Sequence, residues 1–88
     1  MDFRWNGWNL EHIGAHGVTP DEAEKVVEST HDRNWIWRGD GKWLVPGRGY
    51  GGRLLQIVLI LDPDGTVYVI HARPLTDTEK RRLRRSDR

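Results

Sequence analysis

The sequence predicts an α+β fold: two short N-terminal helices, a four-stranded antiparallel sheet and a C-terminal helix. Three observations carry that expectation. Residues 53–61 are an almost unbroken apolar run, too short to span a membrane and rich in aliphatic side chains, so they read as a buried central strand. Asp62-Pro63-Asp64-Gly65 then turns the chain back into residues 66–73, giving a hairpin. Two helix-start signals flank the sheet region: Thr19-Pro20-Asp21-Glu22 and Thr76-Asp77-Thr78-Glu79, each with Thr at the cap and Glu three residues on.

Taken in order, Phe3-Arg4-Trp5 has the pattern of a short edge strand with its aromatics turned inward. Asn6 is a good cap for a helix over residues 7–15, and Gly17 is a natural residue to follow its end. Leu10 and Ile13 give that helix an apolar edge, joined by Trp8. The next helix runs to about Ser29, with Ala23, Val26 and Val27 facing the core. From Asn34 the period changes to two, so Trp35 and Trp37 share one face. Arg38-Gly39-Asp40-Gly41 is a turn, and Lys42-Trp43-Leu44-Val45 starts a return strand. Residues 46–52, with four glycines and a proline, read as a loop or a bulged strand end. In the last strand Tyr68, Ile70 and Ala72 alternate with Val67, Val69, His71 and Arg73. The final helix carries one clear apolar residue, Leu83, and residues 84–88 are expected to fray as a basic tail. The helices are expected on one sheet face, in a single domain over residues 1–88.

Eighty-eight residues bury a limited core, so a partner or a dimer would help the chain fold. The absence of cysteine excludes a disulfide framework, a thiolate zinc site and a cysteine nucleophile. No signal peptide is visible, and the expected setting is the cytoplasm. The net charge of +1 is uninformative, but its distribution is not. Acids outnumber bases six to two in residues 1–30, whereas bases outnumber acids six to three in the last twelve. That asymmetry suits a polyanion or an acidic partner. A solvated basic tail explains the end of the chain equally well.

Several fragments together resemble a known family. Phe3-Arg4-Trp5, Asn9, His12, His16-Gly17-Val18, Gly47-Arg48, Gly52-Arg53-Leu54-Leu55, Val69-Ile70-His71-Ala72-Arg73, Thr76 and Glu79 resemble, in that order, the BrnT-type toxins. The resemblance implies a RelE-like fold and a ribonuclease toxin of a type II toxin–antitoxin pair. It implies RNA cleavage without a metal or other cofactor, and an antitoxin that holds the enzyme inactive. A dimer and a toxin–antitoxin heterotetramer are both open. Three positions depart from the family's usual residues. Ala15 stands where Lys or Arg is usual, His71 where Ser or Thr is usual, and Leu83 where a Tyr is often found. Ala15 and Leu83 motivate a second expectation, a RelE-like module that binds RNA or antitoxin without catalysis.

Metal-free RNA cleavage needs a group to take the 2′-hydroxyl proton, cations for the growing phosphate charge and an acid for the leaving 5′-oxygen. Histidine suits both proton steps near neutral pH, and arginine's planar fork suits phosphate oxygens. The candidate catalytic residues are His16, Arg53, Arg73 and His71. For Arg73 the alternative is an ion pair with an acid from the first helices. For His16 it is a helix-end histidine bonding a carbonyl, and for His71 a satisfied strand histidine. Arg48, Lys80, Arg81 and Arg82 are candidate RNA-binding residues, against the alternative of a solvated loop and helix face. His12 and His16 share a helical spacing. The order Glu11-His12 lacks the His-Glu-x-x-His pattern, so zinc is not expected. His31 is assigned to loop surface. Trp5, Trp8 and Trp43 are assigned to the core, and core is preferred over RNA stacking for Trp35 and Trp37.

Overall fold

The elements follow one another as β1 (Phe3–Arg4), α1 (Gly7–Gly14), α2 (Pro20–Ser29), β2 (Ile36–Gly39), β3 (Lys42–Arg48), β4 (Leu54–Leu61), β5 (Val67–Pro74) and α3 (Asp77–Ser86), with single 3-10 turns at Asp32–Asn34 and Tyr50–Gly52. The computed structural model describes residues 1–86, so residues 87 and 88 of the expected basic tail lie outside the described residues. The fold is α+β, as the sequence predicts, but the sheet differs from expectation. It has five strands in the order β1-β5-β4-β3-β2, and it is mixed, because β1 pairs parallel to β5. Two residues of β1 suffice for this, Phe3 opposite Val67 and Arg4 opposite Tyr68.

The aliphatic run of β4 is the middle of the sheet. Leu55, Ile57 and Leu59 are fully buried on the face that α1 and α2 cover. Each contributes about 1.5–3 kcal/mol over an exposed side chain. Ile13 of α1, Ala23, Val26 and Val27 of α2, and Val45, Val67, Val69 and Ala72 of the sheet complete this core. The helices begin where their caps dictate. The Asn6 side chain accepts from Asn9 N while Asn9 Oδ1 accepts from Asn6 N, and Thr19 Oγ1 accepts from Glu22 N. Gly17 adopts a left-handed conformation, φ +72°, as a residue closing a helix does.

Three further expectations need correction. First, the helices are not all on one face. Leu83 and Glu79 of α3 line a cleft with Leu44, Pro46 and Gln56, whose side chains alternate with the core residues Val45 and Ile57. Second, residues 46–48 are not loop but the end of β3, paired with Gln56, Leu55 and Leu54. β2 starts only opposite Leu44, so Pro46 lies where β3 has become an edge and a missing N–H costs nothing. Third, Trp8 is half exposed rather than core, and Leu10 of the same helix is also exposed. Trp5, Trp35 and Trp43 do pack against the core, while Trp37 lies exposed with its ring edge-on to Trp43. No helix among the described residues is long and apolar enough to cross a membrane.

Candidate active site

The end of β5 is set by a bulge. Val58 pairs with His71 but Leu59 pairs with Val69, so Ile70 is an extra residue. Strict alternation would put His71 and Arg73 with Val67 and Val69. The bulge reverses this: Val67, Val69 and Ala72 are buried in the core, and His71 and Arg73 emerge together on the opposite face. They share that face with Val58 and Gln56, their neighbours on β4.

Helix α1 brings the other half of the site. It lies along β5 beyond the two residues that pair with β1. The buried Asn9 amide straps it there, donating to Arg4 O at 3.1 Å and Val69 O at 2.9 Å. With Asn9 and Ile13 turned inward, Trp8, His12 and His16 follow one another along the outer side. The His12 ring stacks on Trp8 at 3.8 Å, and its Nδ1 lies 2.7 Å from Trp8 O. Trp8 lies 6.4 Å from the Tyr68 ring. At the end of this row the His16 ring meets the His71 ring edge-on, with centroids 5.2 Å apart. His16 is exposed and His71 half-buried, so the pair opens onto solvent. Burial lowers the His71 pKa below its ordinary 6.5, and the neighbouring His16, Arg73 and His12 push it further the same way. His71 is thus biased toward the neutral imidazole at neutral pH.

The arginines are more committed than the sequence implies. Arg53 donates from Nε to Glu22 Oε2 at 2.9 Å, from Nη2 to Glu22 Oε1 and from the same nitrogen to Gly17 O at 2.8 Å. Glu22 is buried and also accepts from Tyr50 N at 2.8 Å. This pair fastens residues 49–53 to α2 and to the turn carrying His16. The Arg53 hydrogen bonds, first among several causes, hold the Glu22 carboxyl below the usual carboxylate range. Arg73 forms a two-pronged pair with Glu79, 2.8 Å on each prong, and donates to Pro74 O at 3.0 Å. With the Gln56 amide oxygen turned toward it, Arg73 Nε and Nη2 lie 3.2 and 3.1 Å from that oxygen. Arg73 is therefore paired with an acid of the last helix, not of the first two. Arg48 donates to Gly52 O at 3.2 Å. Lys80 lies 3.9 Å from Asp77, Arg81 donates to Thr78 Oγ1 at 3.3 Å, and Arg82 lines the cleft between α3 and the sheet. His31, on the surface as expected, caps the turn at Asp32–Asn34.

Of the four candidate catalytic residues, then, His16 and His71 touch, Arg73 is near enough to act on the charge of His71, and Arg53 holds the carbonyl next to His16. Nothing local in the sequence marks Glu22, Glu79 and Gln56 as partners of these arginines. Glu79 reads in the sequence as a capping residue, which it also is: Oε1 accepts from Thr76 N at 2.8 Å. Among the described residues, no three His, Cys, Asp or Glu side chains are grouped to hold a metal ion.

The Arg73 hydrogen bonds and then that of Thr76 lower the Glu79 pKa from 4.5 to about 2. A carboxyl with a depressed folded-state pKa stabilises the fold above its unfolded value and loses that contribution as pH falls through the folded one. Acidification between pH 4.5 and about 2 is therefore expected to loosen the start of α3. NMR shifts of its backbone should move in that window, and Glu79→Gln should abolish the transition.

No protein-family model matches the chain, and no curated protein matches it.

Proposed function

We propose that the protein is a metal-independent RNA endonuclease, resembling the BrnT-type toxins in a RelE-like fold, and that a cognate antitoxin neutralises it. The observation that carries this reading is the contact between His16 and His71 at 5.2 Å on an accessible surface, with Arg73 acting on the charge of His71. Two imidazoles in contact on an open surface can both face one phosphodiester laid across them. His71, biased neutral, takes the proton from the 2′-hydroxyl, whose oxygen attacks the adjacent phosphorus. His16 gives a proton to the departing 5′-oxygen. The products are a 2′,3′-cyclic phosphate and a 5′-hydroxyl end. Arg73 and Arg53 stabilise the phosphorane charge, Arg73 by exchanging its hold on Glu79 for phosphate oxygens.

Incubating the pure protein with an oligoribonucleotide in chelator tests this directly. Cleavage to cyclic-phosphate ends is the expected result, and intact RNA would exclude the enzyme. One observation favours a non-catalytic binding module instead: both arginines already carry a carboxylate partner. On that reading the protein binds RNA or an antitoxin and cleaves nothing.

A further inference from the structure

At the β3 end of the sheet order, away from α1, lies a cleft of about 660 Å³. It opens where β2 stops short of the end of β3, between the C-terminal half of α2, the turn at Asp32–Asn34 and the C-terminal half of α3. Four cations line it, Lys25, Arg33, Arg48 and Arg84, and no carboxylate does. They come from α2, the 3-10 turn, β3 and α3 respectively, so distant parts of the sequence deliver one charge sign to one place. Lys25 donates to Arg48 O at 3.2 Å and Arg48 to Gly52 O, both main-chain acceptors that neutralise nothing. Among the described residues, the guanidinium groups of Arg33 and Arg84 have no acidic partner.

We infer that this cleft binds a single-stranded phosphodiester backbone, as a site separate from the His16–His71 pair. Four converging cations need an anion of repeating charge, and the cleft's walls offer apolar surface from Trp35 and Leu83 on which bases can lie. The cleft and the histidine pair are also connected. Arg48 ends β3 at the cleft, Arg53 reaches the turn beside His16, and only residues 49–52 separate them. The sheet spacing puts β5 and β3 about 10 Å apart at this end. A strand entering the cleft can thus continue toward the histidines. Only the choice of nucleic acid over an acidic peptide rests on the proposed ribonuclease reading; the cationic site itself does not.

The test uses the full chain and a fluorescein-labelled 2′-O-methyl oligouridylate. It lacks the free 2′-hydroxyl and so cannot be cleaved by this route, which separates binding from catalysis. Fluorescence anisotropy across a salt series gives affinity and its salt slope. Arg33→Ala and Arg84→Ala, both at exposed side chains, are each expected to weaken binding about 5- to 10-fold. Each should also flatten the slope of log affinity against log salt by about 0.7. Lys42→Ala removes an equal charge at the opposite end of β3 and should leave the slope unchanged. An oligodeoxythymidylate of equal length reports whether the ribose matters; binding of either polymer with these slopes supports the site. Equal slopes for the parent and the Arg33→Ala/Arg84→Ala double variant would overturn it. So would binding of polyglutamate with no binding of either oligonucleotide.

Discussion

His71→Ala is expected to slow RNA cleavage by about 100- to 10,000-fold, the usual contribution of a positioned general base. The side chain is half-buried on a strand whose backbone is paired through the neighbouring Ala72, so the loss should fall on the rate rather than on folding. The pH profile gives the sharper readout. With His71 acting as base and its pKa held below 6.5, the acid limb of the rate should lie below that value and not at it. The same depressed pKa has a sign for stability. An unfolded chain takes up the His71 proton at higher pH than the folded one, so acidification below about 6.5 should cost some stability in the parent and less in His71→Ala. An acid limb that survives the substitution would assign the proton transfer to another group.

Glu22→Ala should be the most damaging single change to the fold away from the aliphatic core. It removes a buried carboxylate that holds Arg53 by two hydrogen bonds and Tyr50 by a third. Breaking a buried pair from one side is costly. Arg53 keeps partial solvent access, which brings the expected loss to about 2–4 kcal/mol. Chemical denaturation measures it. Gly49→Ala attacks the same joint from the other side. A Cβ on Gly49 would sit 2.3 Å from Glu22 Oε2 and 2.9 Å from its Cγ and Cδ, so the buried carboxylate must move. If both variants melt like the parent protein, the joint does not hold the Gly-rich segment. The two effects should also fall short of additivity, because they break one set of contacts.

What the sequence revealed and what it hid follow from the range of the interactions involved. The hairpin of β4 and β5 was readable because its signals are local: an aliphatic run, Asp62-Pro63-Asp64-Gly65, and alternation. Both Thr caps and Asn6 were readable for the same reason, each bonding three residues away. The bulge at Ile70 left no such trace, since neither Gly nor Pro marks it. His71 and Arg73 were correctly placed on one face, but with the wrong companions. The parallel pairing of β1 joins residues more than sixty positions apart and could not be read from alternation. Nor could the partners of the arginines, because Glu22 and Glu79 look like ordinary first-turn acids until folding brings Arg53 and Arg73 to them. Trp8 shows the limit of composition: large apolar side chains are usually inside, yet this one is half exposed as the platform for His12.

The extra residue in β5 divides that strand into two half-strands of opposite phase. From Val67 to Val69 the odd-numbered side chains belong to the core; from His71 onward the odd-numbered ones belong to the surface. The two halves therefore answer to different constraints. Substitutions toward the hairpin turn are judged by how they fill the interior, and the odd-numbered ones beyond Ile70 by what they present at the surface. A single deletion in this stretch would bring the halves back into step. With Ile70 deleted, His71 would follow Val69 directly and still lie opposite Val58, so the histidine and the arginine would keep the surface; straightening the strand with Ile70 retained would instead turn both toward the core.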